Sequence, residues 1–525
     1  MAERLPVART VPAVLNRALE EFPGREAIVD GTVRWTFFEL GEEIRRCAGA
    51  VIASGVRPGD RVAVWAPNGH RFVVAALGAV TAGAVLVPVN TRFKGEEAGW
   101  ILGKSGARLL LVENGFLGND YLGMLNAAAP ELPQLAEVVT LDGGGELPWQ
   151  AFLDRSATVP RADVLARAGA VTEEDTSDMF FTSGTTGRPK GVLTAHGQNL
   201  RVFDAWSSGV GLLPGDRYLV VNPMFHTFGY KAGVLACLMQ GATVVAQPVF
   251  DPGQTLRLIA DERVTVMPGP PTLYASVLDH PARAVTDLSS LRLAVTGASV
   301  VPVRLVERMR AELFKDVIIA YGLTESCGTV TVGDPAADAE TISRTVGKAI
   351  EGTEVIVAGR DGDPLPAGES GEVLVRGYNV MRGYFGDPEA TAEAIDSRGW
   401  LHTGDVGILD EDGNLRITDR IKDMFTVGGF NAYPAEIEQA ITRHEKVSEA
   451  AVIGIPDERL GEVGLAYVIA RPGAEVTEDE IIAFCRNRLA NFKVPRSVRV
   501  VSALPRNASG KVLKFALRDE ARAQP

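Results

Sequence analysis

"FFTSGTTGRPKGV", residues 180–192, decides how the rest of this chain is read. It sets Thr182, Ser183, Thr185 and Thr186 around Gly184 and Gly187, and closes with Pro189 and Lys190. Such glycines free successive backbone N–H groups to face one anion, while hydroxyls add donors and the lysine adds charge. Pro189 stiffens the turn. Alone, a Ser/Thr/Gly loop is as often a solvated surface turn. Here it lies between "DMFF" and "GVLTAH", two apolar runs that predict strands able to hold a cradle rigid. Neither the Walker loop nor the Rossmann glycine fingerprint occurs in the chain.

Around this loop, residues 175–325 alternate strand-like and helical runs: "RYLVVNP", a helix over 229–240, "ATVVAQP", a helix opened by Asp251 and Pro252, "RVTVMPG", "LRLAVTG", "VPVRLVERMRAELF" and "VIIAYG". Strands regularly separated by helices predict crossover units and largely parallel sheets. The earlier "RVAVWAP" and "AVLVPVN" repeat the rhythm and predict a second sheet. After about residue 350, short strands with Gly turns predict a β-subdomain, and beyond Arg420 the pattern is a compact α+β unit. The expected fold is therefore α/β: a large N-terminal domain of stacked sheets with flanking helices, plus a small α+β C-terminal domain.

At 525 residues the chain is too long for one core, and roughly three to four domain-sized units are expected. A composition of 46% hydrophobic and 23% charged residues is that of an ordinary globular protein. The net charge of −13 argues against a nucleic-acid partner, yet leaves room for one phosphate ligand. Cys47, Cys237, Cys327 and Cys485 stand far apart with no metal spacing, which suits reduced thiols. The N-terminus lacks a signal-peptide core; Val11, Leu15, Ala18, Leu19 and Phe22 predict one helical face capped by Thr10. No apolar run is long enough to span a bilayer, so a cytoplasmic location is expected, as monomer or homodimer.

Further motifs follow in order: "MFHTFG" at 224–229, "YGLTES" at 321–326, "LHTGD" at 401–405, "DRIKDMFTVGGFNAYPAEIE" at 419–438 and "PRNASGK" at 505–511. Each alone is weak. Together with the loop, in this order and spacing, they resemble the adenylate-forming superfamily, which includes acyl-CoA synthetases, luciferases and peptide-synthetase adenylation domains. The resemblance implies ATP, Mg²⁺ and coenzyme A as cofactors and a small-molecule carboxylic acid as substrate. It implies that the loop, Lys190 included, grips the leaving phosphates of ATP.

Residue by residue, the resemblance makes Tyr321 an adenine platform beside Gly322, Gly297, Ala298 and Ser299 in the AMP site. Thr324 reaches the α-phosphate, and Glu325 holds Mg²⁺, a hard cation suited to carboxylate oxygen. Asp405 takes the ribose hydroxyls with Arg420 in support. His226 and Phe225 form an aromatic gate, followed by an acyl-pocket helix in which Gly229 and Gly233 fall on one face with Ala232 and Ala236. A face without bulk admits either a wide ligand or a closely packed neighbour. Lys511 is the lysine that holds the carboxylate against the α-phosphate.

For the small domain, Lys422 matches the hinge, giving boundaries 1–419, 420–422 and 423–525, and Gly428 and Gly429 match the coenzyme A tunnel. Phe430 stands where the family often has Glu, so no contact is transferred there. The stretch around helix 229–240 resembles actinobacterial ligases that activate propionate side chains on degraded steroid rings. The expected activity is thus an AMP-forming acid–thiol ligase for a bulky polycyclic acid. Competing readings are a ligase doing only the thioester step, a fatty or aromatic acid ligase, and a non-enzymatic nucleotide-binding protein. The last should have lost Lys511 or Glu325, and both are present.

Overall fold

The structure is a computed structural model that describes residues 8–523 except 129, 183–188, 298–300, 360, 422, 428–429, 487 and 507–511; of Phe430 and Asn431 it describes only the backbone. The chain divides into two compact units. The first takes in residues up to Gly297, Val301–Glu354 and Val375–Leu401; the second gathers Val355–Leu374 with His402–Pro525. The short strands after residue 350 that the sequence sets apart therefore group largely with the C-terminal region.

Two large sheets build the first unit, one of nine strands and one of seven. In the nine-stranded sheet, Glu26–Asp30, Thr243–Ala246, Arg217–Val220, Val266–Pro268, Leu293–Gly297 and Asp316–Tyr321 run parallel. The seven-stranded sheet is parallel through Glu137–Thr140, Ala107–Val112, Arg61–Trp65, Val85–Pro88 and Thr176–Thr182, then turns antiparallel at Lys190–Ala195 and Gly383–Tyr384. Parallel strands buried on both faces read as unbroken apolar runs, which is why "RVAVW" and "VLVP" carry no polar alternation. Val62 and Val64 point into a core shared by the two sheets, together with Ile28, Val220 and Val295. Ala63 and Trp65 point to the opposite layer, against helix Gly95–Ser105.

The shared layer is filled by helices Val11–Glu21, Phe37–Ala53, His70–Thr81 and His196–Val210. The first starts as its sequence dictates, with the Thr10 hydroxyl accepting from the Ala13 N–H, and buries Val11, Leu15 and Ala18. Asp251 likewise caps Pro252–Asp261. The expected single helix over 229–240 is instead π-helical over Phe228–Leu235 and α-helical only over Ala236–Gln240.

The second unit holds a four-stranded sheet, including the antiparallel strands Leu401–Leu409 and Leu415–Arg420, and a five-stranded sheet. The latter is centred on the long antiparallel pair Val447–Asp457 and Gly461–Ala470. Helices Pro434–Ile441 and Glu478–Arg486 cover one face of that pair, and Lys514–Ala523 covers the other.

Candidate active site

Open parallel sheets bind ligands outside the carboxyl ends of their strands. Gly297, Tyr321 and Thr182 each end a strand there. Thr182 is paired directly opposite Lys190, so the two strands form antiparallel arms on either side of the loop sequence. Beyond the loop, the Pro189 carbonyl accepts from the Trp100 indole at 3.3 Å. Ser183, Gly184, Thr185, Thr186 and Gly187 lie outside the described residues.

One motif segment, 321–326, and one stretch outside the motifs, 381–384, meet these arms. The Glu325 Oε1 accepts the Tyr384 hydroxyl at 2.9 Å and, at a longer 3.4 Å, the Thr182 hydroxyl. The Met381 N–H donates to the Glu325 carbonyl at 2.8 Å, so the 381–384 segment grips this residue at both backbone and side chain. Burial, reinforced by the Glu325 charge, pushes the Tyr384 phenol up, so it stays a donor. Lys190 Nζ lies 5.0 Å from the centre of the Tyr384 ring. Tyr384 is the residue that sequence reasoning missed: it stands 59 positions from Glu325, in a stretch with no chemical signature.

The Thr324 hydroxyl accepts from Thr227 at 3.4 Å, which brings the gate segment against the same turn. That turn is tightly constrained. Cys327 and Gly328 both adopt positive φ, 57° and 106°, and a Cβ on Gly328 would come within 2.7 Å of the Thr227 methyl. A Cβ on Gly322 would come within 2.3 Å of the Gly328 carbonyl oxygen, and one on Gly297 within 2.3 Å of that of Ala320. These two glycines are fixed by close backbone approach. Tyr321 is half-buried at its strand end; Ala298 and Ser299 lie outside the described residues.

His226 is exposed at the surface of the gate, and desolvation by the surrounding protein holds its pKa below the ordinary value. Its Nδ1 accepts from the Phe228 N–H at 3.4 Å, which leaves Nε2 as the protonated nitrogen of a neutral ring. Phe225 beside it is half-buried.

Gly229 and Gly233 do not open space. A Cβ on Gly229 would lie 2.0 Å from the Pro223 oxygen, and one on Gly233 3.1 Å from Val220. Of the two uses for a face without bulk, the structure takes close packing, because the helix closes on the 220–223 segment. Asn68 fastens that segment, accepting from the Met224 N–H at 2.7 Å while its amide faces the Val220 and Asn222 carbonyls.

In the second unit, Asp405 and Arg420 stand opposite each other on neighbouring strands, and Arg420 Nε meets Asp405 Oδ1 at 2.8 Å. Asp405 is buried, and Arg420 only half so. Lys422, Gly428, Gly429 and Lys511 lie outside the described residues. Their flanks are anchored: Val427 pairs with Phe430, Arg506 bridges to Val512, and the Leu513 N–H donates to the Pro505 carbonyl.

Chemically, the first-unit cluster gathers a carboxylate, hydroxyls and a lysine at the strand ends, a donor set for phosphate and a hard cation. Among the described residues there is no group of three or more His, Cys, Asp or Glu that could hold a metal unaided. A cation at Glu325 would need phosphate and water oxygens to complete its shell.

Comparison with known proteins agrees with this chemistry. Residues 15–385 match the family described as AMP-binding enzyme, and residues 436–511 its C-terminal domain. A protein of Rhodococcus jostii named 3-[(3aS,4S,7aS)-7a-methyl-1,5-dioxo-octahydro-1H-inden-4-yl]propanoyl:CoA ligase is 52% identical over 97% of this chain and 98% of its own. Its namesake in Mycobacterium tuberculosis is also 52% identical, over 97% and 99%. The solved anthranilate CoA ligase AuaEII, in complex with anthranoyl-AMP, superposes with a TM-score of 0.87 at 29% identity, covering 99% of both chains.

Proposed function

This chain belongs to the AMP-binding enzyme family, and on that premise we propose that it is an ATP-dependent, AMP-forming acyl-CoA ligase for a bulky polycyclic, steroid- or terpenoid-like acid. The observation that carries the reaction class is the meeting at Glu325 and Thr324 of three segments far apart in sequence: the phosphate hairpin, the gate and the 381–384 strand. The acid is inferred from the two propanoyl:CoA ligases at 52% identity, since the glycine face of the π-helix is filled by protein.

In the first half-reaction the acid's carboxylate oxygen attacks the α-phosphorus of ATP, the bond to the β-phosphate oxygen breaks, and pyrophosphate leaves. The loop between Thr182 and Lys190 holds the departing phosphates, Thr324 the α-phosphate, and Lys511 the attacking carboxylate. This is catalysis by positioning and charge. Mg²⁺, held by Glu325 and the phosphate oxygens, would neutralise part of the triphosphate charge. Neutral His226 presents Nε2–H, and with Phe225 it lines the way in for the acid. Tyr321 with Gly322, Gly297, Ala298 and Ser299 seats adenine, while Asp405 and Arg420 take the ribose.

In the second half-reaction the thiol of coenzyme A attacks the acyl carbon and AMP leaves. A turn about Lys422 of the 420–422 hinge exchanges Lys511 for the Gly428–Gly429 passage, so that 423–525 moves against 1–419. No described helix is long and apolar enough to cross a membrane. With all four cysteines free and buried, we place the enzyme in the cytoplasm as a monomer or homodimer. The reading is tested by acid-dependent exchange of labelled pyrophosphate into ATP, with AMP as product once coenzyme A is added. ATP binding without exchange would leave only a nucleotide-binding protein.

A further inference from the structure

Lys231 stands alone in an apolar stretch, "FGYKAGVL", and its side chain is fully buried. Removing an ammonium from water is costly, and a buried ion pair seldom stabilises more than an apolar residue of its shape. What such a pair can supply is position.

Its partners define what is positioned. Lys231 Nζ lies 2.9 Å from Asp178 Oδ1, 3.0 Å from the Thr194 hydroxyl and 2.7 Å from Asn199 Oδ1. Asp178 belongs to the strand that ends at Thr182, and Thr194 to the strand that begins at Lys190. One cation therefore touches both arms of the phosphate hairpin. Asp178 is saturated in turn: Thr194 donates to it at 2.6 Å, Asn199 at 2.6 Å and Ser177 at 2.5 Å. All these groups are buried, so nothing in solvent competes for them.

The other end of the tether is the gate. Lys231 follows His226 by five residues, on the π-helical turns over Phe228–Leu235. A π-turn inserts a residue and re-aims the side chains beyond it, and such turns concentrate at functional sites. Here it delivers the lysine to the hairpin while Thr227 stays against Thr324.

We propose that Lys231 is a positioning residue for adenylation: its ion pair with Asp178 fixes the register between the acid gate, His226–Thr227, and the phosphate hairpin. The inference rests on the ligase reading above. It concerns the alignment of two bound reactants, the carboxylate and the α-phosphate, so it affects the rate at saturation more than the affinity for either. Misplacement by about 1 Å at a reacting centre costs on the order of 10²-fold.

The test compares Lys231→Met, Asp178→Asn and the double variant in the full chain, with the bicyclic dioxo-indenyl propanoate as the acid. Pyrophosphate exchange, thioester formation from supplied acyl-adenylate, and the thermal midpoint are each measured. Wild type must first exchange pyrophosphate; its failure would overturn the ligase reading rather than this one. In the double variant no charge is left unpaired, so the midpoint should return towards wild type. The kcat for exchange should stay about 10²-fold low, with the KM for ATP and the thioester step within a few-fold of wild type. Recovery of the exchange rate along with the midpoint would overturn the proposal, as would an equal loss in both half-reactions. Should the charge variants fail to fold, Thr194→Val keeps both charges and removes one bridging hydroxyl. It should slow exchange about five- to tenfold and spare the thioester step, and an unchanged exchange rate would overturn the proposal.

Discussion

Replacing Asp419 by Asn should remove an unusual pH dependence from the second unit. Asp419 is buried and accepts the Arg420 N–H at 2.7 Å and the Ala435 N–H at 2.9 Å. Burial nonetheless dominates and pushes its carboxyl from the ordinary 3.8 up to about 6, against the attraction of Lys514. A group that holds its proton more tightly when folded stabilises the fold at low pH. The contribution is full below about 4 and is lost as pH rises through about 6. The gap of 2.2 pH units (6 − 3.8) at about 1.36 kcal/mol each is about 3 kcal/mol, of which about 2 should disappear between pH 4.5 and 7.5. The Asn variant has no proton to bind. Its stability relative to wild type should therefore improve by about 2 kcal/mol over the same interval, whatever constant cost its amide brings to the two N–H groups. The six tryptophans all lie in the first unit, so fluorescence would report on the wrong part. Native-state hydrogen exchange of the paired strands Val447–Asp457 and Gly461–Ala470 reads the second unit directly. A variant-minus-wild-type difference that is the same at both pH values would refute the reasoning.

Three further substitutions probe the chemistry. Lys511→Ala should lower pyrophosphate exchange by about 10²–10³ while thioester formation from supplied acyl-adenylate survives; an equal loss in both steps would give Lys511 another role. Gly429→Leu should still release pyrophosphate but fail to make thioester, and normal thioester turnover would defeat the tunnel assignment. Tyr384→Phe removes the hydroxyl that donates to Glu325 and should slow adenylation about tenfold. A matching deficit with supplied acyl-adenylate would reduce Tyr384 to a structural contact.

The fold was readable where one physical rule dominates. Strands such as Arg61–Trp65, buried on both faces, need unbroken apolar runs, and helix starts such as Thr10 and Asp251 need a side-chain oxygen for their free N–H groups. Thr182 meets Glu325, and Thr227, which the sequence did not single out, meets Thr324. What could not be read depends on partners distant in sequence. Nothing in "RGYFGD" marks Tyr384 as the donor to Glu325, and nothing in "YKAG" reveals that Lys231 reaches Asp178. The spacing of Gly229 and Gly233 shows a face without bulk, but what fills that face is set by the 220–223 segment. The π-winding was hidden for a related reason: 3.6-residue periodicity cannot register one inserted residue.

The most direct test of the central claim is thioester formation measured separately from pyrophosphate release, across bicyclic propanoate, aromatic, short-chain and C12–C18 linear acids. Both steps should run with the bicyclic propanoate, at the highest kcat/KM of the panel, with AMP and thioester formed in equal amounts. A clear preference for a linear C12–C18 acid would contradict the substrate assignment, and thioester formed only from supplied acyl-adenylate would contradict the two-step reaction.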